Sequence, residues 1–461
     1  MAQAFPIPRL APVTSASFVA PDRAGPDRSD CFGMDAPPRR SRGGATLTLA
    51  CPSNKPSGRM APMSPPSPCA PDLSRMRRER LGKLQRAMER DGLDALLLLT
   101  SGSVLYATGA WMPAVDNGRA THQRVCALVL RGEGSPHLFT PYAEGAPPEL
   151  PLENLHAPFW PESDAGVEDM ARRMAERLGA GARRVAVDDW TTPMWLRLRK
   201  LLAPVEIGNA AALVAGCRLH KTSDEQECMR RSWWLNEAAS QAAEQALRPG
   251  VRMTDLTGVY LRRLLELGAS CNFLDPVFQI MPERIADGPW STNGDVPFAL
   301  VTADHVARHG DVVWTDTVSG YEGYASDVGR TWVVGRPSAT LRDLYLRWQA
   351  ITDAVIDAIR PGVTGAELVR IATRANGGKR PWLDHYFLGH TLGLEGGEPQ
   401  RFGSDAGPET DLQLVLEPGM AVVIEPVTWK DGHGGWRCEE LLFVTETGHE
   451  KVSRYPNEPF E

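Results

Sequence analysis

No two of the eight cysteines form a CxxC pair; they lie scattered at 31, 51, 69, 126, 217, 228, 271 and 438. That spacing excludes a zinc knuckle and offers no disulfide framework, so the expectation is reduced thiols. There is no surplus of basic charge either. Fifty Lys and Arg stand against 57 Asp and Glu, a formal net charge of −7. This excludes nucleic acid or an acidic membrane surface as the main partner. Apolar runs such as Ala95 to Leu99 fall far short of the roughly 20 residues a bilayer helix needs. No basic start followed by an apolar stretch is present, so no secretory leader is read and a cytoplasmic protein is expected. What the chain does have is length: 461 residues, 42% of them hydrophobic, suffice for two or three domains with sizeable cores.

Residues 1–75 are rich in Pro, Ser, Gly and Arg, as in PPRRSRGG and APMSPPSPCAP. Such composition cannot build a core, and a disordered N-terminal extension is expected. From Leu81 the pattern turns helical, with Leu81, Leu84 and Met88 on one face. Short apolar strands over 95–100, 125–130 and 185–187 alternate with helical patterns over 167–178 and 194–202. Residues 76–214 therefore read as an α/β domain. A second domain, 215–461, opens with the helix-start signal Thr222-Ser223-Asp224-Glu225. Here a phrase repeats: Ala246-Leu-Arg-Pro-Gly-Val251 returns 112 residues later as Ala358-Ile-Arg-Pro-Gly-Val363, each copy joining a long helix to a shorter one. Strand-rich segments follow both copies. The expectation is an α+β domain of two halves related by pseudo-two-fold symmetry, with a site between their sheets.

Five residues carry most of the chemistry: Asp316, Asp327, His390, Glu425 and Glu439. Asp316 and Asp327 sit eleven apart in segments that read as paired strands. Asp316 follows Val312-Val313-Trp314 and Asp327 precedes Trp332-Val333-Val334. Acidic groups within apolar strands are costly to bury unless paired or metal-bound. His390 lies among small neighbours in Leu388-Gly-His-Thr-Leu-Gly393, Glu425 ends the run Ala421 to Ile424, and Glu439 follows the Gly434-Gly435 turn. Four carboxylates and one imidazole suit two divalent cations, whose charge the carboxylates cancel. Such a pair of ions can lower the pKa of a water enough to make a nucleophile at neutral pH. Cys438, beside Glu439, reads as a packed strand thiol.

The order D-x10-D, then GH, then PGM…IEP, then G-G-x-R-x-E resembles the M24 metallopeptidase, or pita-bread, family. The segment RLGKLQRAMERDGLDALLLLTSGSVLYATG is similar to the creatinase-type first domain of its larger members, which include Xaa-Pro aminopeptidase, prolidase and creatinase. The resemblance implies a creatinase-like N-terminal domain, a pita-bread catalytic domain and a homodimer. It implies that Asp316 binds one metal, that Asp327 and Glu439 bridge two, and that His390 and Glu425 complete the other metal's coordination, with Arg437 orienting a carboxylate. Mn²⁺, Co²⁺, Zn²⁺ or Fe²⁺ is the implied metal, and the oxygen-rich ligand set favours Mn²⁺. The implied activity is hydrolysis of a peptide-like or amidino C–N bond, with a peptide or small molecule as substrate.

The chain departs from that pattern at two places. Family peptidases carry a second His seven residues beyond the ligand His, where this chain has Gly397, and another some twenty residues before the first Asp, where 293–299 contains none. Those groups hold the substrate carbonyl, and their loss removes transition-state stabilisation. His385 and His305 are the candidate substitutes, and Glu398, or else Glu395, the candidate general acid or base. The departures keep a second activity class open, a repurposed member acting on a small molecule. PDLSRMRRER and the ending TETGHEKVSRYPNEPF are similar to the dimethylsulfoniopropionate-lyase branch, although that branch has an acidic residue where this chain has Trp314, and its two aspartates are one residue closer. A non-catalytic binding module is the third reading, set against the complete ligand set. Trp111, Tyr324 and the Pro289-Trp290 segment are candidate walls of the substrate pocket.

Overall fold

The computed structural model describes residues 63–66, 70–111, 124–273, 275–287 and 305–458. Most of the expected disordered extension, the Pro289-Trp290 segment and the 293–299 stretch lie outside these.

Helix α1 (Leu73–Asp91) starts where the Asp72 carboxylate accepts from the Arg75 N–H, and ends at Gly92, whose φ of 65° suits a residue without Cβ. The chain then builds β1 (Ala95–Leu98), α2 (Ser101–Thr108), β2 (Cys126–Leu130), β3 (His137–Phe139), β4 (Leu155–His156), α3 (Asp164–Leu178), β5 (Arg184–Val187), α4 (Thr192–Leu201), β6 (Glu206–Asn209) and α5 (Ala211–Leu219). The strands form one mixed sheet in the order β4-β3-β2-β1-β5-β6, with β1 antiparallel to β2 and parallel to β5. Both faces of β1 are covered. Leu96 and Leu98 pack with Leu84 and Met88 of α1, while Ala95 and Leu97 pack with Val167, Met170 and Met174 of α3. A strand buried on both faces reads as an unbroken apolar run, which is why it was visible in the sequence.

The second domain begins with α6 (Ser223–Ala246), whose start is a reciprocal cap between Thr222 and Glu225. There follow α7 (Met253–Glu266), β7 (Cys271–Asn272), β8 (Val277–Ile280), β9 (Val312–Thr317), β10 (Ser319–Tyr321), β11 (Tyr324–Ala325) and β12 (Val328–Val333). A second set then runs α8 (Ala339–Ile356), α9 (Gly365–Ala375), β13 (Gly389–Gly393), β14 (Gly396–Phe402), α10 (Pro408–Gln413), β15 (Ala421–Ile424), β16 (Val427–Lys430), β17 (Gly434–Arg437), β18 (Glu440–Val444) and β19 (His449–Lys451). The first half's main sheet is β12-β9-β8 and the second's is β14-β13-β15-β18-β19.

Backbone hydrogen bonds make the duplication explicit. Gly250 N–H donates to the Ala307 carbonyl and Gly362 N–H to that of Leu416, both at 2.8 Å. The return bonds, Ala307 to Val251 and Leu416 to Val363, are also 2.8 Å each. Met253 N–H to His305 and Gly365 N–H to Leu414 form a third matched pair, at 3.0 and 2.9 Å. The receiving residues stand 109 apart, and the same step carries Asp316 onto Glu425. The two halves thus contribute one acidic residue each from equivalent places.

The strand expected to carry Asp327 is split between β11 and β12 at Ser326 and Asp327. Ser326 Oγ donates to the Ser319 carbonyl and accepts from Asn236 Nδ2, so local side-chain bonds replace the ladder there. At the junction of the domains, Arg80 and Lys83 of α1 meet Glu225 of α6 and Tyr324 of β11. Lys83 Nζ lies 3.0 Å from Glu225 Oε2, and the Tyr324 hydroxyl donates to Glu225 Oε1 while accepting from Arg80 Nη1. Among the described residues, no helix is long and apolar enough to cross a membrane.

Candidate metal centre

Asp316 projects from β9, in register with Gly329 of β12. Asp327 occupies the break before β12, and Glu439 follows β17. One carboxylate oxygen from each of the three lies within 4.8 Å of the other two. Gly329 allows this convergence: a Cβ there would stand 2.8 Å from both Arg437 Nη1 and Glu439 Oε1. Its backbone also docks Glu439, since Gly329 N–H donates to Glu439 Oε2 at 2.9 Å and Glu439 N–H to the Gly329 carbonyl at 3.1 Å.

His390 on β13 brings the second half's imidazole to the same place. Its Nε2 lies 3.4 Å from Asp327 Oδ2 and 3.3 Å from Glu425 Oε1. Nδ1 faces the Thr391 carbonyl at 3.0 Å. A carbonyl can only accept, so Nδ1 carries a proton, and although burial disfavours the charged ring, Asp327 and Glu425 at Nε2 hold its pKa well above the ordinary histidine value. Arg437, at the end of β17, ties the group together. Its Nη2 donates to Glu425 Oε2 at 2.6 Å and to Glu439 Oε1. Its Nη1 stands 3.3 Å from Asp316 Oδ2, within ion-pair reach but not aligned as a hydrogen bond. The structure therefore brings Asp316, Asp327, His390, Glu425, Glu439 and Arg437 into one cluster, buried except for the half-buried Asp327.

Four carboxylates against one guanidinium and one imidazole leave a surplus of negative charge. Burial, reinforced by Asp327 and Glu425 and opposed by Arg437, pushes the Asp316 carboxyl up to about 7. Burial likewise drives Glu439 well above the ordinary range, with Asp327 and Asp316 adding to it. Glu425 goes the other way: burial raises it, but Arg437 and His390 together outweigh that. Crowded acids that one guanidinium and one imidazole do not balance call for additional positive charge. The donor set, oxygen-rich with one ring nitrogen, fits divalent cations.

The remaining sequence candidates stand elsewhere. His385 is half-exposed, with Nδ1 2.5 Å from Asp405 Oδ2, a surface ion pair. Glu398, on β14, is buried and held electrostatically, with Oε1 3.5 Å from Arg218 Nε and 3.9 Å from Lys221 Nζ. A carboxylate set between two cations at the domain junction fits charge pairing better than proton shuttling. Tyr324 is 1% exposed and commits its hydroxyl to Glu225. Trp111 is partly buried, its N–H bonded to the Gly145 carbonyl, and packs against the core of the N-terminal domain. Trp314 fills the place of the lyase branch's extra acid with a fully buried indole whose Nε1 donates to the Gly435 carbonyl at 3.3 Å.

Two neighbours of the cluster went unread in the sequence. Phe387 meets the His390 ring edge-on at 5.6 Å, and the exposed Arg401 of β14 lies directly across the ladder from His390 with its guanidinium 4.8 Å from the Phe387 ring. Among the described residues, Arg401 pairs with no carboxylate. The ladder of β13 and β14 shifts register between His390 and Leu392, so strand alternation alone could not have placed Arg401.

Comparison with known proteins agrees with this geometry. Residues 227–446 match the model of metallopeptidase family M24, and residues 80–220 match the creatinase/prolidase N-terminal domain. The probable dipeptidase PepE of Mycobacterium tuberculosis is 28% identical over 82% of this chain and 95% of its own length. The Xaa-Pro dipeptidase of Lactobacillus delbrueckii subsp. lactis is 26% identical over 80% and 95%. Among solved structures, the prolidase from Pyrococcus horikoshii OT3 superposes with a TM-score of 0.64 at 20% identity, covering 83% of this chain and all of that one. The X-Pro aminopeptidase from Thermotoga maritima gives 0.65 at 19%, covering 82% and 99%. With both domains matched in order and an acidic cluster between the halves of the second, this chain belongs to metallopeptidase family M24 and carries the creatinase/prolidase-type N-terminal domain.

Proposed function

We propose that this chain is a dinuclear metal-dependent peptidase that cleaves the bond before proline in short peptides. The observation that carries it is the convergence of Asp316, Asp327 and Glu439 with His390 and Glu425, pinned by Arg437. The names of relatives aligned over most of both chains, a probable dipeptidase and an Xaa-Pro dipeptidase, support the substrate class.

Asp316, Asp327, His390, Glu425 and Glu439 would hold two divalent ions, Mn²⁺ favoured by the oxygen-rich set. When bound, such ions supply Lewis acidity and lower the pKa of a water. The chain's own groups do the rest. The Thr391 carbonyl fixes the His390 tautomer, and Arg437 holds Glu425 and Glu439 in place while offsetting their charge. With Gly397 in place of the usual histidine, Arg401 is the cation that borders the cluster. It is set to take the C-terminal carboxylate of a short peptide by a charge-assisted hydrogen bond. The same reading includes a homodimer and a cytoplasmic location.

Mass spectrometry of Mn²⁺-loaded protein with Xaa-Pro and Xaa-Ala dipeptides tests this. The expected result is water addition to the Xaa-Pro members, abolished by chelator. Intact Xaa-Pro peptides after long incubation would overturn it.

A further inference from the structure

Three successive residues of β12, Gly329, Arg330 and Thr331, reach across to the segment 437–439 that carries Arg437 and Glu439. β12 and β17 lie in different sheets, so no shared ladder sets one against the other. Gly329 docks the Glu439 carboxylate with its N–H, whereas the side chains of Arg330 and Thr331 act on backbone.

Arg330 is 1% exposed. Its Nη1 donates to the Gly329 carbonyl and to the Glu439 carbonyl, at 2.8 Å each. The same Gly329 carbonyl accepts the Glu439 N–H at 3.1 Å. One guanidinium nitrogen therefore closes a ring around Glu439 and fixes the peptide groups on both sides of it. Nη2 faces the other way, donating to the Tyr455 carbonyl at 3.1 Å and to Glu237 Oε1 at 3.4 Å. Glu237 Oε1 in turn accepts from the Arg454 and Tyr455 N–H groups at 2.8 and 2.9 Å. Arg330 thus ties Glu439 to α6 and to the segment after β19. Thr331, also buried, does the equivalent for Arg437 with a single hydroxyl. Its Oγ1 donates to the Arg437 carbonyl at 2.6 Å and accepts the Arg437 N–H at 3.0 Å. Arg437 then presents its guanidinium to Glu425 and Glu439.

Stability alone does not call for an arginine at position 330. Desolvating a buried ion pair costs about what the attraction returns, and apolar side chains of similar volume often serve as well. A planar fork bonded to two carbonyls does what no apolar group can: it sets where a backbone lies. A bridging carboxylate must meet two ions at once, so the chain that carries it has to be held closely.

We infer that Arg330 and Thr331 form a positioning clamp on β12, Arg330 setting the backbone of the ligand Glu439 and Thr331 that of Arg437. The inference rests on the dinuclear reading of the site.

Mn²⁺ titration of the metal-free full chain, followed by calorimetry and by electron paramagnetic resonance, provides the test. Arg330→Lys keeps the charge opposite Glu237 but loses the fork. Thr331→Val keeps the volume but loses the hydroxyl, and Thr331→Ser keeps the hydroxyl. In Arg330→Lys and in Thr331→Val the weaker of the two Mn²⁺ affinities should fall by about tenfold or more. The exchange-coupled signal of the ion pair should change as well, and Thr331→Ser should recover the wild-type values. Taken well below each variant's melting temperature, these readouts report ligand geometry, which a contribution to fold stability alone would leave unchanged. Wild-type affinities and an unchanged spectrum in a folded Arg330→Lys or Thr331→Val chain overturn the clamp and leave the dinuclear reading standing. A wild-type chain that does not bind two ions overturns both.

Discussion

Arg437 is the residue on which the cluster's balance turns. It contacts Glu425 and Glu439 and stands within ion-pair reach of Asp316. Replacing it by Met removes the guanidinium that faces the buried Asp316, Glu425 and Glu439, and losing one partner of a buried ion pair costs about 3–5 kcal/mol. The expected outcome is a large drop in thermal stability of metal-free protein, measured by calorimetry. Metal affinity should fall by about 10–100-fold, the range for groups that hold a ligand in place. Arg401 tests a different link. Arg401→Ala should raise KM for dipeptides carrying a free C-terminal carboxylate, by on the order of tenfold from loss of a charge-assisted bond. Steady-state kinetics should show KM for C-terminally amidated substrates nearly unchanged. At this scale the sequence was most legible where an acid interrupts an apolar strand, as at Asp316 and Glu425, because burial makes such a residue expensive. It was least legible for Tyr324, whose aromatic ring reads equally as pocket wall or core. Only the fold brings Glu225 within reach of that hydroxyl.

At the scale of elements, the repeated Arg-Pro-Gly-Val phrase proved to mark equivalent turns with matching hydrogen bonds. Gly250 and Gly362 have φ of 89° and 85°, and a Cβ at either would meet only open space. Substitution by Ala therefore imposes backbone strain without a clash, about 1–2 kcal/mol. Gly250→Ala and Gly362→Ala should lower stability by similar amounts in denaturant titrations, and widely unequal costs would argue against equivalent turns. Elements with strong periodicity, such as α6 and β1, were readable from local pattern. The short strands β7 and β11, each two residues long, were not, because their pairing depends on distant segments rather than on their own composition.

At the scale of the whole molecule, Glu225 joins the N-terminal domain to the catalytic one. Burial tends to raise its carboxyl, but Lys83 and Arg80 outweigh this and hold it below the ordinary value of 4.5. A depressed acid stabilises the fold above its unfolded pKa, and that contribution is lost as pH falls through the lower folded value. Acid should therefore loosen the domain junction below about pH 4.5, where the unfolded carboxyl begins to take up its proton. Glu225→Gln should be less stable than wild type at pH 7, with the difference shrinking on acidification, as followed by thermal melts across pH. The overall plan, an α/β domain before a duplicated α+β domain, was legible because each domain has its own periodicity. The junction was not, since Arg80, Lys83, Glu225 and Tyr324 are far apart in the chain and meet only in the fold.

The central claim is that five side chains hold two metal ions. Elemental analysis of Mn²⁺-loaded protein after exhaustive buffer exchange tests it most directly, comparing wild type with Asp327→Ala. The account predicts two ions per wild-type chain and no more than one in the variant, with peptidase activity lost alongside. Two tightly held ions in both proteins, or none in wild type, would contradict it.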